Sequence, residues 1–225
     1  MLRRLLIQSV ATLAVMAGLL FGAAGTLDWP GAWAFFAETS VGGALLGRWL
    51  WRHDPALLRE RLALPIQRGQ ALWDRVFVIS VLVLWCGWFA LMGLDRGRWR
   101  LAPMPMPMAV AGALLIAAGL AVSWQTFRAN SFAAPVVRVQ TERGHAVAST
   151  GPYRFVRHPM YAGAILYLVG SPLLLGSWLG LLTVPLLIAG FALRIGYEED
   201  VLRRELAGYE DYMKRVRWRL VPGVW

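Results

Sequence analysis

Four apolar runs, at about 5–27, 30–51, 73–94 and 108–127, constrain this chain more than any other feature. Each is long enough for a helix rising about 1.5 Å per residue to cross about 30 Å of hydrocarbon. A backbone in lipid must satisfy its own N–H and C=O groups, so the expected fold is all-α and integral to a membrane. A fifth apolar stretch, 160–193, would make one helix of about 50 Å, too long for a single pass. The breakers Gly170-Ser171-Pro172 and Gly176-Ser177 predict instead a hairpin of two short helices, for five to six passes in all. At 58% hydrophobic and 16% charged residues, no stretch is left for an ordinary soluble domain. The "MLRR" and "FGAAG" flanks of the first run resemble a leader peptide, but the run exceeds a leader's apolar core, and a retained first helix is expected.

Charge sets the orientation. All of the 23 Lys and Arg except Arg96, Arg98 and Arg100 fall on one side of this topology, which predicts cytoplasmic termini and cytoplasmic connections at 52–72 and 128–158. The net charge of +10 then reflects topology and attraction to membrane lipids with anionic headgroups, and nucleic acid is not an expected partner. In the tail, 194–225, Val201, Leu202, Leu206, Tyr209, Tyr212, Met213 and Val216 recur at helical spacing, predicting an amphipathic helix on the membrane surface, bent at Gly208.

A lone Cys86 excludes an intramolecular disulfide, and His53, His145 and His158 lack the spacing of a helical metal site, so no metal is expected. Phosphate-binding glycine loops and the GxSxG nucleophile turn are missing from the sequence. Chemistry is expected instead in "GPYRFVRHPMYAG", Gly151 to Gly163. Pro152 and Pro159 keep that backbone extended and deny peptide groups their helical partners, which a polar ligand could replace. A helix starting near Pro159 offers N–H groups to a carboxylate. Arg154, Arg157 and His158 add donors, and Tyr153 and Tyr161 offer faces to a ring or a sulfonium. An out-and-back hairpin returns Glu198 and Glu199 to the same surface. The plainer reading stays open: the arginines as headgroup anchors, His158 as a helix-start residue, and the acidic pair as partners of the basic tail.

The two-part pattern of "GPYRFVRHPMYAG" and, at hairpin distance, "RIGYEEDVLRRELAGYEDYMKRV" resembles the isoprenylcysteine carboxyl methyltransferase and phospholipid methyltransferase family of integral-membrane enzymes. The resemblance covers about 128–225, taken as a methyltransferase core behind N-terminal transmembrane helices at 1–127. It implies S-adenosylmethionine as cofactor, held by Arg157, His158, Pro159, Tyr161, Gly163, Glu198 and Glu199, with weaker assignment of His145 and Tyr153. It implies Arg194 at the methyl-transfer site. The acceptor it implies is lipid-like or small and hydrophobic, most simply a carboxylate as in isoprenylcysteine O-methylation. A phospholipid amine or a thiol is the alternative, and for an amine Glu199 is the candidate base. The short chain and the ending "RLVPGVW" resemble bacterial members of the inner membrane, with a cytoplasmic active site. A small transporter or scaffold is the non-enzyme alternative, though the polar residues gather at one surface of the second half.

Glu38 and Gln125 are polar residues within spans, and Glu38 is a candidate for the acceptor pocket. Trp29, Trp33, Trp49, Trp51, Trp73, Trp99 and Trp178 fit an interfacial aromatic belt, whereas Trp85, Trp88 and Trp124 lie deeper and serve packing or a lipid path.

Overall fold

The computed structural model describes residues 1–64, 66 and 72–225; Arg68, counted above among the basic flanks, lies outside them. Among the described residues the fold is all-helical: α1 (Leu2–Ala24), α2 (Pro30–His53), α3 (Pro55–Arg61), α4 (Leu72–Leu94), α5 (Met106–Ala129), α6 (Pro159–Leu175), α7 (Trp178–Leu182), α8 (Val184–Glu205) and α9 (Tyr209–Arg215). Four segments are long and apolar enough to span a membrane: Leu2–Ala24, Leu72–Trp99, Met106–Ala129 and Trp178–Glu205. With them the chain is an integral membrane protein. The four differ from the expected set, because α2 carries Glu38, Arg48, Arg52 and His53, and the second arm of the hairpin is long rather than short.

The breakers divide differently from expectation. Gly170-Ser171-Pro172 lies inside α6, and the chain turns only at Gly176, whose φ of +74 lies in the left-handed region that suits glycine. The Gly176 and Ser177 N–H groups close on the Leu173 and Pro172 carbonyls. Ser177 Oγ then caps α7 at the Gly180 N–H, and Asp95, buried at the end of α4, accepts from Ser177 Oγ at 2.7 Å and from the Leu179 N–H at 2.9 Å. Just before Pro172, the glycine face of α6 presses against α5. A Cβ on Gly170 would come within 2.6 Å of the Gly112 carbonyl oxygen, and one on Gly119 within 2.6 Å of that of Gly163. Such backbone-to-backbone approach is how small residues join helices in lipid, where no hydrophobic effect drives association.

Around this pair, Met16, Leu20, Phe35, Trp88, Phe89, Met92, Ile116 and Leu175 form the main core. Trp29 and Trp88 are buried packing residues that donate to the Leu175 and Gly180 carbonyls, each at 3.0 Å. α8 runs unbroken from the hairpin through the acidic pair, so the polar tail starts as the end of a spanning helix. The expected surface helix is shorter than predicted. Leu206, Tyr209, Tyr212 and Val216 do not lie on lipid but pack against Tyr153 and the 128–158 connection, which gives the apolar stripe a protein partner.

Candidate active site

Three segments meet where α6 begins: the 128–158 connection, the end of α8 and the chain after α9. The peptide groups freed by Pro159 find partners in the last of these, contrary to the expectation of a ligand. Arg157 N–H donates to the Trp218 carbonyl and His158 N–H to that of Arg219, both at 2.9 Å. The Arg157 guanidinium adds bonds to the Val216 and Arg217 carbonyls at 2.8 and 2.7 Å.

The acidic pair divides. Glu199 is 1% exposed. Its Oε1 accepts from Arg157 Nε at 2.7 Å and lies 3.1 Å from His158 Nε2, and its Oε2 accepts from Arg219 Nε at 3.0 Å. With both oxygens engaged and its carboxylate outside the cavity described next, Glu199 latches three segments together and is not placed to act as a base. Glu198, one residue earlier, turns the other way and accepts a 2.8 Å bond from the Tyr161 hydroxyl.

Glu198 lines a cavity of about 430 Å³. That lies within the range of small-molecule sites. Of the residues singled out in the sequence, His145, Tyr153, Arg157, His158, Tyr161, Arg194 and Glu198 share its wall. Pro159, Gly163 and Glu199 do not. Pro159 starts α6, and Gly163 serves the contact with α5, where a Cβ would meet the Gly119 carbonyl oxygen at 2.9 Å. Arg154 is exposed beside Phe155, which keeps it out of the cavity. Glu38 lines a separate groove between α2 and α5 with Trp124, so it is not a residue of this site, and Gln125 is exposed.

The walls differ in character. Val81, Met160, Ala164 and Phe191 give an apolar side facing the membrane helices, and Asn130, Tyr153, His145 and Glu198 a polar one. Asn130 Nδ2 donates to the Tyr153 hydroxyl at 2.8 Å, Tyr212 donates to the Tyr153 carbonyl at 2.8 Å, and burial pushes the Tyr153 phenol up, so it stays neutral. The Gln140 N–H donates to His145 Nδ1 at 3.2 Å, which leaves the ring's proton on Nε2. Burial first, then the Arg143 and Arg138 charges, lowers the His145 pKa and keeps the ring neutral. Its face stacks on Phe132 at 4.4 Å.

Arg194 is buried in this wall. Its Nη2 lies 3.2 Å from Asp74 Oδ1 and donates to the Pro135 carbonyl, and Phe77 covers the guanidinium at 4.7 Å. Arg61, packed over Phe127 and donating to the Ala133 carbonyl at 2.9 Å, is a second deep cation, lowered by burial to about 10 and so charged at neutral pH. Two polar atoms in the wall, Arg194 Nε and the Tyr209 hydroxyl, are buried without a partner among the described residues. Buried polar atoms seldom stay unpaired, so this cavity fits a polar ligand. Sequence reasoning missed Asp74, Arg61, Asn130, Phe132 and Tyr209. Asp74 alone carried a signal, as an acidic residue beside a spanning run; Tyr209 was hidden in the amphipathic stripe.

A family model described as phospholipid methyltransferase matches residues 107–207, which take in α5, the α6 start and the end of α8. Through these residues, a little under half of the chain, it is similar to that family. The match begins in α5, whose glycines pack on those of α6. The chain is also similar to the probable protein-S-isoprenylcysteine O-methyltransferase of Oryza sativa subsp. indica, 35% identical over 83 residues, covering 36% of this chain and 44% of the relative. It is 24% identical over 123 residues to protein-S-isoprenylcysteine O-methyltransferase B of Arabidopsis thaliana (54% and 59% coverage) and 32% over 83 residues to the Schizosaccharomyces pombe protein-S-isoprenylcysteine O-methyltransferase (36% and 35%). The matches thus span between about a third and three fifths of the length of these curated relatives. Similarity to a methyltransferase family implies a methyl donor, and the cavity-wall donors without a partner among the described residues are where a polar one would find bonds.

Proposed function

We propose that this protein is a membrane methyltransferase that transfers the methyl group of S-adenosylmethionine to a lipid-like carboxylate, as the names of its relatives suggest for them. The observation that carries the reading is the two-sided cavity at the membrane end of the hairpin, apolar towards α4, α6 and α8 and polar towards the 128–158 connection. Glu198, Tyr161, His145 and Tyr209 would hold the cofactor, and Arg194 and Arg61 are the cations available to carboxylates. Bound there, S-adenosylmethionine would supply an electrophilic methyl on a sulfonium, the O–C bond to the acceptor forming as the S–C bond breaks and S-adenosylhomocysteine leaves. Arg194, fixed on one edge by Asp74 and Pro135, can hold the acceptor carboxylate by its free Nε–H while leaving its oxygen in line for displacement. The apolar wall excludes water from that line.

A carboxylate acceptor needs no base, whereas an ammonium acceptor must first lose a proton. Glu199, the candidate for that task, is fully engaged with Arg157, His158 and Arg219, which favours the carboxylate over the amine. Glu198, the carboxylate facing the cavity, is better placed to face the sulfonium. The location of the basic flanks supports a cytoplasmic site. The test is transfer of a radiolabelled methyl group from S-adenosylmethionine to isoprenylcysteine analogues, extracted phospholipids and small thiols. Product from an isoprenylcysteine analogue that is labile to base supports an ester; label only in stable lipid amine or thioether refutes the proposed acceptor. Arg194→Lys, which keeps the charge and loses the fork, is expected to cut turnover at least about tenfold with cofactor affinity nearly unchanged.

A further inference from the structure

Among the described residues, the cavity that the proposed function assigns to a cationic cofactor is lined by four guanidiniums, those of Arg61, Arg138, Arg157 and Arg194, against one carboxylate, that of Glu198. A wall so basic should repel a sulfonium. The carboxylates behind it resolve the conflict. Glu199 stands behind Arg157 at 2.7 Å, Glu60 and Glu142 flank Arg138 at 3.1 and 2.6 Å, and Asp74 meets Arg194 at 3.2 Å. None of these four acidic residues is in the cavity wall. Arg61, by contrast, is held by a carbonyl, a thioether sulfur and an aromatic face.

Among these pairs Asp74–Arg194 differs in origin and burial. Asp74 comes from the first turn of α4, in the N-terminal half outside the family match, and is wholly buried; the Arg194 side chain is 9% exposed. Glu198 follows Arg194 by one turn of α8, so both face one cavity from one helix face. Two charges so far from water are poorly screened, and removing either one alters the potential felt by a ligand several ångströms away.

We propose that Asp74 is a positioning residue that neutralises Arg194 from outside the cavity, so that one arginine can hold an anionic acceptor without expelling the sulfonium beside it. This rests on the methyltransferase reading above, and it assigns a function in the site to the N-terminal helices. It also makes the site select by charge between cofactor and product. S-Adenosylmethionine carries the sulfonium charge, and S-adenosylhomocysteine, the same molecule after transfer, does not. Contacts to the rest of the molecule are common to both, so the ratio of their affinities reports the potential at the sulfur, and a loss of shape would weaken both alike.

The test measures binding of both compounds to the detergent-solubilised full-length chain by calorimetry. Asp74→Asn, which keeps shape and removes charge, is expected to weaken S-adenosylmethionine relative to S-adenosylhomocysteine by roughly tenfold. Asp74→Glu should keep the wild-type ratio. Arg194→Gln should move the ratio the opposite way, and this arm stands even if Asp74→Asn fails to fold. The double variant Asp74→Asn with Arg194→Gln, which buries no lone charge, should return the ratio to within about threefold of wild type. Wild type that binds both compounds, with the ratio unmoved in Asp74→Asn and Arg194→Gln, would overturn the inference and leave the methyltransferase reading standing. Wild type that binds neither would overturn both.

Discussion

Replacing Glu199 by Gln tests whether the acidic pair is one functional unit or two residues with different tasks. The side chain is 1% exposed and serves Arg157 Nε at 2.7 Å, His158 Nε2 at 3.1 Å and Arg219 Nε at 3.0 Å. Gln keeps the shape, but its NH₂ must face one of these donors and the charge is gone. The Arg219 side chain, 29% exposed, can turn to water, so little is lost there. Arg157, 6% exposed, cannot, and stranding a buried partner costs about 3–5 kcal/mol. For a chain of this size that is an apparent Tm lower by roughly 8–15 °C. Glu198→Gln should behave otherwise. Its side chain is 24% exposed and keeps an oxygen for the Tyr161 hydroxyl, so apparent Tm should fall by less than about 3 °C. Its affinity for S-adenosylmethionine should fall by about 1–3 kcal/mol. Thermal unfolding in detergent, followed by tryptophan fluorescence, and calorimetric titration measure the two quantities. The division of labour is refuted if Glu199→Gln melts with wild type, or if Glu198→Gln loses stability without losing affinity.

Three further outcomes are expected. Gly119→Val forces bulk within 2.6 Å of the Gly163 carbonyl oxygen, and the cost of about 1–3 kcal/mol should appear as a lower melting temperature before any change in cofactor affinity at low temperature. The His145 pKa is lowered in the fold, so the unfolded chain takes up its proton first as pH falls below about 6.5; stability is then lost on acidification, and a His145→Asn variant should show a flatter decline between pH 7 and 5 in the same melting assay. A reporter fused after Trp225 should be active only on the cytoplasmic side, and activity confined to the exterior would reverse the orientation drawn from the basic flanks.

Sequence alone determined the class of this protein. Apolar runs long enough for a bilayer leave helices as the available fold, and "GPYRFVRHPMYAG" with its distant acidic pair marked Tyr153, Arg157, His158, Tyr161 and Glu198 of the cavity wall, because residues that must stay polar beside lipid stand out in so apolar a chain. What each marked residue does was a matter of direction. Glu198 and Glu199 are neighbours, but adjacent residues on a helix point about 100° apart, so one faces the cavity and the other the buried arginine. Gly163 reads as part of a binding motif until α5 is laid against it, and Gly170-Ser171-Pro172 reads as a turn until the Gly112 backbone fills the space where a bend would open. Asp74 and Arg194 are far apart in the chain, and no local pattern links them; only the packing of α4 beside α8 brings the two charges to 3.2 Å, where their burial makes each depend on the other.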